Sequence, residues 1–296
     1  MNNWSLHNWG QEAILDRADD ARTAERLAEL WADPRARLVE VDWEGGQFRG
    51  DREAGRIEPV DTTGEYDEQR HVFLGLLEGG VPYFAVTTIL DTPTVAIRKL
   101  LGRAEGGELE VITSTAAILN WHRSGGYCVS CGKLTQRIRG GYARICPNCD
   151  WLEFPRTDPA VIVSIIDDDD RILLAHQGTW DEGRYSVLAG FVEAGGQSFE
   201  QTCFREVLEE SGIHLREVKY MGSQPWPFPR SIMIGFEARA ATTEIKVDGE
   251  EIVHAAWFTR DELARAVEAG TVKLPFRGSI AAALIDRWRY PAASAR

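Results

Sequence analysis

The sequence lacks three features that would place it among membrane-spanning, secreted or broadly nucleic-acid-binding proteins. None of its apolar runs approaches the roughly 18 residues that a membrane-spanning helix requires. The first ten residues, MNNWSLHNWG, do not show a basic region followed by an apolar run, so they predict no secretory signal. The formal net charge is −13, which argues against binding of nucleic acid or anionic membrane over the whole surface. We therefore expect a cytoplasmic protein that does not bind membranes.

Cysteine is also scarce, but its placement is informative. The chain has five cysteines, and four of them form two C-x-x-C pairs separated by fourteen residues: Cys128, Cys131, Cys146 and Cys149. Such pairs are more typical of metal binding in a reducing compartment than of disulfides. The spacing predicts a zinc ribbon, with a structural Zn²⁺ because four cysteine ligands leave no open coordination position. The alternative is four ordinary reduced cysteines.

The length of 296 residues favours more than one domain. We predict an N-terminal α+β domain over residues 1–118 and a zinc ribbon with its linking helix over residues 119–155. A C-terminal domain follows over residues 156–296, where strand and helix patterns alternate and predict a mixed sheet between helices. The fold class is therefore α/β (α+β).

The first domain shows helix and strand patterns but no group of catalytic residues. We predict a helix over residues 16–31 and strands over residues 36–43, 71–77 and 82–90. A short helix is predicted over residues 94–101. This domain is expected to serve assembly and not chemistry.

The most informative stretch covers residues 190–213. Ser198 and Gln201 form a capping-box pattern, so a helix should begin near residue 199, and Gly212 is suited to ending it. Between them lie three glutamates that share one side of the helix: Glu206, Glu209 and Glu210. Like charges at this spacing repel by roughly 0.2–0.5 kcal/mol per pair. A hard divalent cation converts that repulsion into ligation, whereas a solvated acidic face is the alternative.

This stretch resembles the Nudix box, G-x5-E-x7-R-E-U-x-E-E-x-G-U, in which U is aliphatic. The matching residues are Gly190, Arg205, Glu206, Val207, Glu209, Glu210, Gly212 and Ile213. The loop has one extra residue, so that Gly196 or Gln197 stands where the first Glu belongs. In the family that Glu supports the loop and the box Arg. We expect Gln197 to accept a hydrogen bond from Arg205 without an ion pair, and catalysis to survive in weakened form.

A second resemblance narrows the family. Residues 223–229 read SQPWPFP, which alone predicts a rigid aromatic loop suited equally to core packing or to base stacking. Together with the box and a preceding four-cysteine ribbon, this array is similar to that of the NADH pyrophosphatase (NudC-type) branch of Nudix hydrolases. The N-terminal third resembles that branch only in length and order.

The resemblance implies an α/β/α Nudix sandwich that hydrolyses the diphosphate of NADH or NAD⁺ to nicotinamide mononucleotide and AMP. It also implies removal of the NAD cap from RNA 5′ ends and a homodimer with shared active sites. Glu206, Glu209 and Glu210, with Glu251 as the fourth acid, would be catalytic and would hold Mg²⁺ or Mn²⁺. Glu250 is the reserve for Glu251.

The resemblance also implies a substrate site. Phe191 and the partner subunit's Phe154 would stack on the nicotinamide, although core packing is the alternative for each ring. The other residues assigned to this site are Ala189, Gln224, Trp226 and Ala281.

Two questions stay open at this stage. Lys133, Arg137, Arg139 and Arg144 lie between the cysteine pairs without an acidic residue, and suit either phosphate binding or a solvated hairpin face. The altered box is also compatible with a non-catalytic dinucleotide- or RNA-binding module, or with a hydrolase of other nucleoside diphosphate derivatives.

Overall fold

The computed structural model describes residues 12–42 and 46–291, which divide into two compact units. The N-terminal unit comprises the described residues up to 157 together with the segment Trp226–Arg230, and the C-terminal unit comprises residues 158–225 and 231–291. The first eleven residues, for which the sequence predicts no secretory signal, lie outside the described part. No helix of the described residues is long and apolar enough to cross a membrane.

The N-terminal unit combines a large sheet, a small sheet and helices. Its helices are α1 (Ala24–Ala32), α2 (Ile97–Leu101) and α3 (Gly106–Ser124). Its larger sheet is formed by β1 (Arg37–Asp42), β2 (Gln47–Asp51), β3 (Arg56–Ile57), β4 (Val60–Asp61), β5 (Val72–Leu77), β6 (Val81–Thr88) and β7 (Thr94–Ala96). Its smaller, antiparallel sheet is formed by β8 (Gln136–Ile138), β9 (Ala143–Ile145) and β10 (Leu152–Glu153).

The larger sheet has the order β3-β2-β1-β6-β5, with β4 beside β1 and β7 beside β2. Strands β1 and β6 are parallel, and the other pairs are antiparallel. Leu27, Leu30 and Trp31 of α1 pack with Phe73 and Phe84 in its core. The three strands predicted for this region are present within one or two residues of their predicted ends.

Two predictions for this unit are wrong in detail. The helix expected over residues 16–31 begins only at Ala24, because Thr23 caps it by accepting a hydrogen bond from the Arg26 N–H at 3.3 Å. Asp16 instead exchanges two backbone hydrogen bonds with Leu76, at 2.9 and 2.8 Å. The helix expected over residues 94–101 is half strand, because residues 94–96 pair with β2 as β7 before α2 begins.

The C-terminal unit is a sheet between helices. Its strands are β11 (Asp158–Ile166), β12 (Ile172–Gln177), β13 (Leu188–Phe191), β14 (Leu215–Trp226), β15 (Ser231–Ala240) and β16 (Ile252–Phe258). Its helices are α4 (Phe199–Ser211), α5 (Arg260–Glu268) and α6 (Ile280–Arg289). The sheet order is β14-β15-β11-β12-β16, with β13 beside β11. Strands β11 and β15 are parallel, whereas β11 runs antiparallel to β12 and β13, so the sheet is mixed.

The apolar run of β11 is explained by burial on both faces of the sheet. Val161, Val163 and Ile165 belong to the core that includes Cys203 and Val207 of α4. The alternate residues Ile162 and Ile166 belong to a second core, which includes Leu263 of α5 and Leu284 and Trp288 of α6. Because side chains of a strand alternate between faces, a strand covered on both sides is apolar throughout. This unit is the predicted α/β/α sandwich.

Candidate active site

Helix α4 begins and ends where the sequence predicts. The Ser198 Oγ accepts a hydrogen bond from the Gln201 N–H at 3.1 Å, and the Gln201 Oε1 accepts one from the Ser198 N–H at 2.9 Å. This reciprocal pair satisfies two N–H groups that the helix itself leaves free. Gly212 ends the helix with a left-handed φ of 72°, which glycine adopts without a Cβ clash. The cap and the stop set the ends of α4, and its buried Cys203 and Val207 pack in the core with the sheet.

Glu206 lies against the backbone of β13. Gly190 of β13 pairs with Val161 of the central strand β11, so its position is set by the sheet. A Cβ placed on Gly190 would lie only 2.0 Å from the Glu206 Cδ. Glycine is therefore required here because of close approach. Burial raises the pKa of Glu206, although the neighbouring Arg205 guanidinium lowers it.

Glu210 is the most deeply buried of the box glutamates. It is 5% exposed, and its Oε2 is buried without a hydrogen-bond partner among the described residues. Burial is the main cause that raises the pKa of Glu210 to about 8, and the charges of Glu251, Glu206, Asp248 and Glu209 contribute to the same rise. A buried, unpartnered carboxyl oxygen costs about 1–3 kcal/mol or more. The site therefore concentrates negative potential around an oxygen that lacks a donor.

Glu251 reaches the same region from the turn before β16. Its Oε1 accepts a hydrogen bond from the Gln177 Nε2 at 2.7 Å. Its backbone N–H, together with that of Ile252, donates to the Asp248 carboxylate at 3.1 and 2.9 Å. Glu251 is among the charges that raise the pKa of Glu210, and Glu250 is not. Glu251 therefore belongs to the acidic surroundings of Glu210, as does Asp248, which no sequence pattern indicated, and the role of Glu251 as the fourth acid stays a prediction.

Glu209 is the outermost acid of the ridge. Its side chain is 59% exposed, and its Oε2 accepts a hydrogen bond from the Arg205 Nη1 at 2.9 Å. Among the described residues, the four cysteines alone form a group of candidate metal ligands drawn closely together. Glu206, Glu209, Glu210 and Glu251 influence one another electrostatically, but their carboxylate oxygens do not form a comparably close cluster.

Arg205 connects the box loop to the acidic ridge. Its Nε donates to the Gln197 Oε1 at 2.9 Å, and its Nη2 donates to the Phe191 carbonyl oxygen at 3.1 Å. Its Nη2 also lies 2.8 Å from the Glu206 Oε1. Gln197 therefore accepts the predicted hydrogen bond from the box arginine.

The aromatic side chains assigned to the substrate site are not core residues. Phe191, at the end of β13, is 58% exposed, and Phe154 of the N-terminal unit is 47% exposed. The core-packing alternative is therefore wrong for both rings. Ala281 is 7% exposed in α6, and Ala189 packs against the apolar cluster that contains it.

Gln224 is a buried link between β14 and the start of α6. Its Oε1 accepts from the Ile280 N–H, and its Nε2 donates to the Gly278 carbonyl oxygen, both at 2.7 Å. Both polar ends of the amide are thus engaged by backbone, and the side chain fixes the segment that leads to Ala281.

The tip of the SQPWPFP loop belongs to the N-terminal unit. The Trp226 ring lies 5.1 Å from the Phe228 ring in an edge-on arrangement. The Asn120 Nδ2 of α3 donates to the carbonyl oxygens of Pro227 and Pro229 at 2.8 and 2.9 Å. The loop is therefore anchored to α3 within that unit.

The four paired cysteines come together as the ribbon pattern predicts. The Sγ atoms lie 3.4 Å apart for Cys131 and Cys146, and 3.6 Å apart for Cys128 and Cys149. A tetrahedral site with Zn–S bonds of 2.3 Å would separate the sulfurs by about 3.8 Å. All four lie within 4.8 Å of one another, so this donor set fits zinc.

The two cysteine pairs are built on the same turn. The residue after the second cysteine of each pair has a left-handed φ, 71° at Gly132 and 56° at Asp150. In both turns its N–H donates to the carbonyl oxygen of the first cysteine, at 2.8 and 2.9 Å. A hydrogen bond from the Lys133 backbone N–H is the main cause that lowers the pKa of Cys131 to about 7, whereas contacts with the other three sulfurs raise the pKa of Cys149.

Two of the four basic residues between the cysteine pairs, Lys133 and Arg139, are exposed, and Arg137 and Arg144 are partly or fully buried. Arg144 is buried, and its guanidinium contacts the Thr135 side chain at 2.5 Å and the His122 Nδ1 at 3.1 Å. Arg139 pairs with Asp19 at 2.8 Å, and the Arg137 Nη1 donates to a backbone oxygen at 3.0 Å. The three arginines therefore make internal contacts, and phosphate binding at this segment stays a prediction.

Known proteins resemble this chain over most of its length. The family model for the NUDIX domain matches residues 156–275. The NAD-capped RNA hydrolase NudC of Mycobacterium bovis BCG Pasteur is 40% identical over 294 residues, covering 92% of each chain, and that of Mycobacterium tuberculosis H37Rv matches to the same extent. The human NAD-capped RNA hydrolase NUDT12 is 37% identical over 211 residues, covering 67% of this chain and 45% of the human protein. With box geometry, cysteine quartet and near-complete coverage in agreement, this chain belongs to the NudC family of Nudix proteins.

Proposed function

We propose that this chain hydrolyses the diphosphate bond of NADH and NAD⁺ to nicotinamide mononucleotide and AMP, and removes the NAD cap from RNA 5′ ends. The observation that carries the proposal is the 40% identity to NAD-capped RNA hydrolases NudC over 92% of the chain. That match extends well beyond the 120 residues of the Nudix domain, 156–275. The acidic side chains around α4 are suited to the metal-dependent hydrolysis that we propose.

The acidic residues fit a divalent metal. Glu206, Glu209, Glu210 and Glu251 would hold Mg²⁺ or Mn²⁺, because these hard cations prefer carboxylate oxygens. The unpartnered Oε2 of Glu210 supports this assignment. When bound, such ions neutralise a diphosphate and lower the pKa of an attacking water. The four-cysteine cluster would hold a structural Zn²⁺, which has no open position for substrate.

The remaining site residues would bind and orient the dinucleotide. The exposed Phe191 ring is available for stacking on the nicotinamide, and the bond from Arg205 to the Phe191 carbonyl oxygen fixes its backbone. Gln224 would act by holding the segment before Ala281, since both ends of its amide are engaged. Trp226 lies in an anchored aromatic loop of the N-terminal unit and stays a proposed substrate-binding residue.

We also propose a homodimer in which the partner subunit's Phe154 completes the nicotinamide site. The 47% exposure of Phe154 supports this, because a ring that packs in no core is available to a second chain.

The test is product chromatography after incubation of NADH, NAD⁺, ADP-ribose and NAD-capped RNA with the zinc-loaded protein and Mg²⁺ or Mn²⁺. The wild-type protein should release nicotinamide mononucleotide from the first two and a 5′-monophosphate RNA from the last. Glu209→Gln and Glu210→Gln should each lower the rate of NADH hydrolysis by more than about 100-fold. Mutation of residues that only contact metal ligands already lowers metal affinity or activity by about 10–100-fold. Glu200→Gln, in the first turn of the same helix, is the matched control and should retain activity.

Product chromatography, together with calorimetric titration of NADH, separates the alternatives. A binding module with a disabled box would bind NADH in a calorimeter but leave it intact over hours. Faster turnover of ADP-ribose than of NADH would indicate a hydrolase of other nucleoside diphosphate derivatives. Either result would contradict the proposed function.

A further inference from the structure

We propose that Gln197 and Arg205 set how tightly this chain holds its divalent cations, with Arg205 acting as a latch on Glu206 and Glu209. The inference rests on the proposed function, in which both glutamates are metal ligands. Arg205 is a positioning residue here, because it would act on the metal through the carboxylates that it holds.

The contacts of Arg205 use all three nitrogens of its guanidinium group. The Nε donates to Gln197 at 2.9 Å, the Nη1 to Glu209 at 2.9 Å, and the Nη2 to the Phe191 carbonyl oxygen at 3.1 Å. The Nη2 also lies 2.8 Å from Glu206. Among the described residues, its negatively charged contacts within 4 Å are therefore two of the proposed ligands.

Because Gln197 is neutral, the positive charge of Arg205 is not balanced at position 197. A Gln side chain accepts the hydrogen bond but offers no counter-charge. Arg205 is consequently balanced by Glu206 and Glu209 alone. A cation that binds those carboxylates has to compete with the guanidinium for the same oxygens.

The two ion pairs differ in how readily they open. The Glu209 side chain is 59% exposed, so its pair with Arg205 is screened by water and weak. The Glu206 side chain is 14% exposed and rests on Gly190, so it has little freedom to move. The latch is therefore expected to open at Glu209 when metal binds.

A carboxylate at position 197 would release the latch. Glu has nearly the same shape as Gln, so its oxygen would stay next to the Arg205 Nε and give the guanidinium a negative partner of its own. The loop can accommodate the exchange, because Glu adds no heavy atom to Gln and residue 197 is exposed. Glu209 would then be freer to turn towards a cation.

The test is calorimetric titration of Mn²⁺ into the zinc-loaded protein without substrate. We expect Gln197→Glu to lower the Kd for Mn²⁺ by about threefold to fivefold, which is the effect expected from the loss of one exposed ion pair that competes with the metal. Ala194→Glu adds the same charge to the same exposed loop at a residue with no contact to Arg205 among the described ones, and should change the Kd by less than about twofold. Gln197→Ala adds no charge and should not tighten binding.

Two results would overturn the latch. One is a Gln197→Glu variant that binds Mn²⁺ no more tightly than wild type, and the other is an equal gain from Ala194→Glu, which would indicate a general charge effect. Either result leaves the proposed function intact if the wild-type protein hydrolyses NADH. Absence of NADH turnover in the wild type would instead contradict the proposed function, whatever the Mn²⁺ titrations give.

Discussion

At Gly190 the backbone of β13 lies closer to the Glu206 carboxylate than a methyl group allows. Gly190→Ala is expected to push that carboxylate away, because the new Cβ would sit 2.0 Å from the Glu206 Cδ. We expect NADH hydrolysis to fall by at least about tenfold, as small displacements of catalytic groups are costly. The measurement is steady-state kinetics at saturating Mg²⁺. Gly126→Ala, whose Cβ would meet nothing within 4 Å, is the control and should leave the rate unchanged.

Glu210 makes the stability of the protein depend on pH. Burial raises its pKa from the ordinary 4.5 to about 8, so the folded protein holds a proton that the unfolded chain releases between these values. This contribution to stability is fully present below about pH 4.5 and is lost as the pH rises through about 8. The expected loss is a few kcal/mol at most, at about 1.4 kcal/mol per pH unit.

Urea denaturation of zinc-loaded protein at pH 5.5 and pH 8, without added Mg²⁺ or Mn²⁺, measures this loss. Glu210→Gln should flatten the pH dependence, whereas Glu200→Gln should keep it. An unchanged slope in Glu210→Gln would show that other groups cause the effect.

The burial of Glu210 is also what the sequence could not reveal. The helical spacing placed three glutamates on one ridge, yet it gave no sign that one is buried and another 59% exposed. The difference arises because the turn holding Glu251 and Asp248, about forty residues further along the chain, meets the inner end of the ridge. Arg144 shows the same limit, since its burial depends on the distant His122.

Among the secondary-structure elements, α4 was predictable because both of its ends rest on local contacts. Its cap joins residues three apart, and its stop is a single left-handed glycine. The helix predicted over residues 16–31 failed because Asp16 pairs with Leu76, sixty residues away, and no local pattern encodes that pairing. Helices α5 and α6 also begin at local caps, which Thr259 and Ser279 form by accepting backbone hydrogen bonds.

The cap of α4 gives a prediction at this scale. Ser198→Ala should lower the free energy of unfolding by about 1 kcal/mol, because the Gln201 N–H loses its acceptor. Ser198→Asp preserves an acceptor and should cost less. Urea denaturation of both variants measures the difference, and equal losses would show that the hydroxyl itself, and not capping, matters.

For the whole molecule, the proposed shared active site makes a strong prediction. Chains carrying Glu210→Gln can be combined with chains carrying Phe154→Ala, and hybrid dimers can be isolated with two affinity tags. Each parent dimer should be impaired. In the hybrid, one of the two sites joins an intact Glu210 with the partner's intact Phe154, so activity should recover to about half that of wild type, as two-fold symmetry requires. Hybrid activity equal to the mean of the two parents would contradict a shared site.

The predicted boundaries at residues 118 and 155 and the cytoplasmic location stay predictions.

The fifth cysteine, Cys203, should differ from the four paired cysteines in its reactivity towards thiol reagents. Cys203 is fully buried on the core-facing side of α4, and burial raises its pKa to about 12, so it should not react with a thiol reagent while the C-terminal unit is folded. If the other four sulfurs are held by zinc, the intact protein should give no colour with such a reagent. Four reacting thiols per chain would then report an opened ribbon, and five would report a fully unfolded chain. A simple thiol count would thereby distinguish loss of the metal from loss of the fold.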